Sequence, residues 1–315
     1  MGITRSGKTE LFAQWLQGSL TVSEQGFSTG DRFWVHSGTG SDTVGCGKNP
    51  QRPFATLDYA IEYCTANHGD IIYVLPGHLE LLDADSAVDV DIAGLKIIGL
   101  GWGGSRPTFM CTVVAGDFKL ASSCNVVENL LFINAVDNST GLFEVTGTDN
   151  TIRYCEFREA DDAEFADVFL LTVDGADRLH IHDCKFIGNV GDGSVSAIEL
   201  IGADHAHIHD CYLYGNYDTG VIQYITTASA GTRIHDCTIW QLDDTAGAAG
   251  VQMILDTITT STGVMGPNLN LVGIVNAANI TEAVTGATFN VVDPVYVVNA
   301  VAEKAMLINW AASAD

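Results

Sequence analysis

The chain has 315 residues, 47% of them hydrophobic, and a formal net charge of −25 from 39 acidic and 14 basic side chains. So acidic a surface repels nucleic-acid phosphates and anionic bilayers, which argues against nucleic acid and membrane as partners. The hydrophobic share excludes a disordered chain, and the longest apolar runs are strand-sized, too short for a membrane-spanning helix.

Residues 1–30 read as a separate N-terminal docking arm or cap. Glu10-Leu-Phe-Ala-Gln-Trp-Leu16 is a short amphipathic stretch, and Leu11, Phe12, Trp15 and Leu16 are its docking candidates. The opening Met1-Gly-Ile-Thr-Arg-Ser-Gly-Lys8 has no continuous apolar core, so no signal peptide is expected. Phe33-Trp-Val35 reads as a strand, followed by a Gly- and Asp-containing loop. Leu57, Ala60, Ile61 and Cys64 fall on one helical face, which predicts a capping helix over 54–66 that stops at Asn67-His-Gly69. Asp70-Ile-Ile-Tyr-Val-Leu-Pro-Gly77 is the first coil strand.

An internal repeat then dominates the chain. Four segments align: Thr151-Ile-Arg-Tyr-Cys-Glu-Phe157, His180-Ile-His-Asp-Cys-Lys-Phe186, His207-Ile-His-Asp-Cys-Tyr-Leu213 and Arg233-Ile-His-Asp-Cys-Thr-Ile239. Weaker copies lie at Leu95–Leu100 and Val127–Phe132. The period is in the high twenties, without a leucine-rich consensus or a helical pattern inside a repeat. Each repeat holds two or three short β-rich runs, such as Phe169-Leu-Leu-Thr-Val173 and Ala197-Ile-Glu-Leu-Ile201. Short strands stacked coil on coil in parallel make an all-β solenoid, a parallel β-helix, over residues 31–262.

The motif has a physical reading. Ile181 and Phe186 should both point inward but lie five apart, so one residue must turn a corner between two strands. Asp183 is that residue, with Asp210 and Asp236 as its equivalents, because Asp tolerates the left-handed backbone of a sharp bend. Stacking then places Cys155, Cys184, Cys211 and Cys237 in an interior ladder, expected to be free thiols that pack rather than bond. His182, His209 and His235 form an outward column, with His180, His207 and Arg233 beginning a second. Stacked imidazoles are weak metal candidates; the plainer reading is that a repeat duplicates residues without a function, and no cofactor is expected. Such a column should also resist protonation.

Asp161, Asp162, Glu164 and Asp167 sit in an insertion between coils, which reads as a solvated acidic loop ahead of a Ca²⁺ or catalytic site. Tyr212, Tyr214, Tyr217 and Trp240 cluster in neighbouring coils and could contact a glycan or another subunit. Residues 263–315 leave the repeat and are expected to form a C-terminal β-rich cap or oligomerisation region.

The pattern Gly38-Thr-Gly-Ser-Asp42, Pro53-Phe-Ala-Thr-Leu57, Ala60-Ile61 and Gly69-Asp-Ile-Ile-Tyr-Val-Leu-Pro-Gly-His78 resembles the N-terminal segment of pectate-lyase-like right-handed parallel β-helix proteins. Within that superfamily the chain is most similar to β-helix proteins encoded in tailed-phage structural gene regions. The run Ile97-Ile-Gly-Leu-Gly-Trp-Gly-Gly-Ser-Arg-Pro107, after Val90-Asp-Ile-Ala-Gly94, is part of that likeness. The resemblance implies a homotrimeric virion component that decorates the capsid or forms a short head fibre, with the major capsid protein as partner. It also implies assembly in the host cytoplasm, which suits unpaired thiols. The NTD, GDD, GHG and RIK motifs of pectate-lyase-like glycosidases are not found, so the expectation leans away from an enzyme. A tailspike-like polysaccharide depolymerase and a glycan-binding module, each engaging a host-surface glycan, are the alternatives.

Overall fold

The structure, a computed structural model, describes residues 30–161, 166–190, 193–242, 252–273, 284–285, 288–292 and 295–299. The arm with Leu11, Phe12, Trp15 and Leu16 lies outside the described residues, as do Asp162 and Glu164 of the acidic insertion.

Three parallel sheets run the length of a right-handed parallel β-helix. Among the described residues the first sheet has ten strands, the second eight and the third nine. Each coil visits the first, third and second sheets in turn, as His180–His182, Lys185–Ile187 and Ser196–Leu200 do in one coil. The register stacks like on like: Ile152, Ile181, Ile208 and Ile234 are successive partners in the first sheet. In the third, Phe132, Phe157, Phe186 and Leu213 are successive partners. Inside, Phe132, Phe157 and Phe186 stack with centroids 5.0 and 4.7 Å apart and planes within 14° and 2°. Burial of these rings stabilises the coils, because each removes a large apolar area from water.

The corner between the first and third sheets explains why the repeat breaks alternation. Asp183, Asp210 and Asp236 have φ of 54°, 53° and 51°, in the left-handed region. Asn129, Tyr154 and Asn268 occupy the same corner in other coils, with φ of 56°, 55° and 54°. The next residue turns inward: Cys155, Cys184, Cys211 and Cys237 are buried free thiols. The Sγ of each donates to the carbonyl two residues back, at 3.2–3.3 Å. Burial holds the Cys184 thiol far above its ordinary range.

Two boundaries differ from expectation. The capping helix is Leu57–Ile61, not 54–66. Tyr63 and Cys64 already donate to the carbonyls of Ala60 and Ile61, three residues back, so the last turn tightens and ends. Its first amides are met by side chains: Asp42 accepts from Ala55 and Thr56, and Glu80 from Leu57. Leu57, Ala60 and Ile61 are buried over the open end of the core. At the other end the coil pattern does not give way to a cap at 263. Thr262–Met265 pairs with Thr288–Val291, and Leu269–Gly273 pairs with Val295–Asn299, both in parallel. The repeat is hidden there because one extra residue stands at the corner. Ile234 and Thr238 pair with Met265 and Asn270, which are five apart rather than four.

Candidate functional site

The first and third sheets present two different outward faces. On the first, Glu128, Arg153, His182, His209 and His235 are successive register partners in one column. Thr151, His180, His207 and Arg233 form the other column. The sheet spacing stacks the rings. His180 and His207 lie 4.9 Å apart with planes within 2°, and His182, His209 and His235 follow at 5.1 Å steps within 3°. The corner aspartates hold them, since Asp183, Asp210 and Asp236 each accept from the Nδ1 of the preceding histidine, at 2.8, 2.7 and 2.5 Å.

That contact assigns the tautomer. With its N–H on Nδ1, each of these histidines turns a bare Nε2 lone pair towards the other column. There His180 Nε2 meets His209 Nε2 at 2.6 Å, and His207 Nε2 meets His235 Nε2 at 2.6 Å. In each pair the first ring donates and the second accepts. Burial, with the neighbouring imidazoles, lowers the pKa of His180 and pushes His207 down to about 4, so both are neutral at neutral pH. The nitrogens of His180, His207 and His209 all lie within 4.8 Å of one another. The structure therefore gathers His180, His207 and His209 rather than the weak candidates His182, His209 and His235, because the closest approaches run diagonally between columns. Above them Glu128 pairs with Arg153 at 2.8 Å and Lys96 at 3.5 Å.

The outward face of the third sheet is mostly apolar. Its ladder runs Leu81, Met110, Ile133, Arg158, Ile187, Tyr214, Trp240 and Val272, successive partners in register. The second outward column holds Leu79, Thr108, Leu131, Glu156, Lys185, Tyr212, Thr238 and Asn270. Leu79 and Leu81 are 47% and 49% exposed, and Tyr212 38%. Tyr212, Tyr214 and Trp240 thus sit on this face, the first two with rings 6.2 Å apart and nearly parallel. Tyr217 does not: it is fully buried. The third-sheet strand ends at Gly215, and the chain folds Tyr217 under it, where the hydroxyl donates to the Tyr214 carbonyl at 3.4 Å. Gly188 makes the room, since a Cβ there would meet the Tyr217 hydroxyl at 3.3 Å. The ladder has a sequence signal, consecutive apolar residues where alternation demands a polar one, as in Phe132-Ile133, Phe186-Ile187 and Ile239-Trp240.

Two grooves open beside this face. One of about 460 Å³ contains Asp58, Glu80 and Asp83. Glu80 is committed there, accepting from Leu57 N and bonded to the buried His78 ring at 2.9 Å. The other, about 340 Å³, contains Arg106, Glu156 and Arg158. Glu156 lies between the two guanidiniums, 3.1 Å from Arg106 and 3.9 Å from Arg158.

No protein-family model and no curated protein matches the chain. Among solved structures, a rhamnogalacturonan lyase is similar, with a TM-score of 0.50 and 11% sequence identity over 89% of this chain and 90% of that one. At that identity the likeness shows the fold alone, a parallel β-helix.

Proposed function

We propose that the protein is a non-enzymatic structural component of a tailed-phage particle. In this reading three copies pack side by side through their third sheets, and the trimer decorates the capsid or forms a short head fibre, docked on the major capsid protein. The observation that carries it is the outward ladder from Leu81 through Met110, Ile133, Ile187, Tyr214 and Trp240 to Val272, interrupted by a charge only at Arg158. A face this apolar and this long favours burial against protein. It runs parallel to the solenoid axis, so copies set around one axis meet along its whole length. With −25 charges per chain, copies repel on most approaches, and this nearly neutral stripe is where they can close.

Placement on a phage particle is supported by the resemblance of residues 31–240 to β-helix proteins of tailed-phage structural gene regions. The buried free thiols suit assembly in a reducing cytoplasm. Quantitative mass spectrometry of purified particles tests the reading. Copy numbers comparable with the major capsid protein are expected. A few copies per particle, with cleavage of host polysaccharide, would replace it by a tailspike-like depolymerase. Absence from the particles would contradict it.

A further inference from the structure

The histidine face carries chemistry that self-assembly does not use. We propose that His180, His207 and His209 bind one divalent transition-metal ion of the zinc, cobalt or nickel type, with His209 held ready by Asp210. Three imidazole nitrogens lie within 4.8 Å of one another, contributed by two neighbouring strands. Nitrogens bound to one zinc at about 2.0–2.1 Å stand about 3.3 Å apart, so small ring rotations convert the cluster into a three-ligand site. A fourth position remains for water.

The arrangement around the cluster is that of a ligand set. Metal-bound imidazoles commonly donate their second N–H to a carboxylate, which fixes the ring and raises the basicity of the other nitrogen. His209 does this, with Nδ1 2.7 Å from Asp210 Oδ2. Its Nε2 lone pair is directed at His180, 2.6 Å away. Without a metal, that contact is closed by the proton on His180 Nε2. Binding moves this proton and that of His207 from Nε2 to Nδ1 within each neutral ring, so three lone pairs converge with no net proton release. Imidazole donors select zinc, cobalt, nickel or copper over magnesium and calcium, which prefer oxygen. Because His180 lies one coil away from His207 and His209, the ion would clip the two coils together.

The test uses the full chain without an affinity tag, titrated with Co²⁺ and then Zn²⁺. One equivalent of Co²⁺ should bind and develop visible ligand-field bands from nitrogen coordination. Zn²⁺ should displace it and raise the melting temperature. His207→Gln and His209→Gln should each weaken binding by about 100-fold or more. Asp210→Asn keeps a residue that tolerates the left-handed corner and should weaken binding about 10- to 100-fold through its effect on His209. His36→Ala, remote from the cluster, should leave the titration unchanged. Circular dichroism checks that each variant keeps its sheets. Absence of one-equivalent binding in the wild-type chain would overturn the proposal. So would binding that survives in folded His180→Gln/His207→Gln protein.

Discussion

The two outward faces on either side of the Asp corner are written by the same short motif and do opposite things. In one coil, His180 and His182 face out from the first sheet, and Lys185 and Ile187 face out from the third, with Asp183 between them. On the first sheet, stacking like on like brings polar rings within hydrogen-bonding reach, and each outer histidine is tied to its own aspartate. On the third, the same stacking accumulates apolar surface, which is buried at Leu131 and Ile133 and open at Leu79, Leu81 and Tyr212. A solenoid multiplies whatever its repeat presents: a polar position becomes a network that satisfies itself, and an apolar position becomes a stripe that requires a partner.

The largest effect should strike both faces at once, because they share one core. Phe157→Ala removes a fully buried ring from the Phe132–Phe157–Phe186 stack. Denaturant unfolding should show a loss of about 3–5 kcal/mol, more than any change on either face.

A pH reference away from both faces comes next. Burial pushes the Asp117 carboxyl up to about 6 from 3.8, opposed by the hydrogen bond from Ser86 N and by Lys119, and aided by Glu144 and Asp85. The folded chain therefore holds that proton more tightly than the unfolded chain does. The resulting stability is complete below pH 3.8 and is lost as pH rises through about 6. Asp117→Asn keeps the acceptor for Ser86. It should gain on the order of 1–3 kcal/mol relative to wild type between about pH 4 and pH 7 in paired urea titrations. A pH-independent difference would contradict this.

The corner that separates the faces can be broken by itself. Asp210→Val forces a β-branched residue into φ of 53° and removes the His209 contact, whereas Asp210→Asn does not impose that strain. The valine variant should lose about 1–2 kcal/mol more than the asparagine variant on thermal unfolding. Equal losses would mean that backbone conformation does not set the corner. The smallest effect on the folding of a single chain, within about 0.5 kcal/mol at a concentration below that of assembly, is expected for Ile187→Glu, because its side chain already faces outward.

Much of this was legible in sequence. Ile181, Cys184 and Phe186 could be placed inside, and Asp183 at the bend, because a break in alternation needs one residue of left-handed backbone. Other features depend on contacts between coils. The diagonal approach of His180 to His209 is set by ring tilt across strands. Tyr217 is drawn inward by the space over Gly188, which lies one coil away. The coils beyond 262 escaped because Pro267 adds a residue at the corner, and Asn268 and Leu269 stand where the motif has Asp and Cys. Of the third-sheet ladder, Tyr214 and Trp240 stood out in sequence as aromatics able to meet a glycan or another subunit, whereas Ile133 and Ile187 directly follow buried rings and only the register shows that they face out.

Sedimentation equilibrium of the full wild-type chain beside Ile187→Glu/Trp240→Glu decides whether the third sheet is a self-assembly surface. The wild type should sediment with the mass of three 33.5 kDa chains, and the folded variant with that of one. A monomeric wild type, or a variant that remains trimeric, would contradict self-assembly through the third sheet.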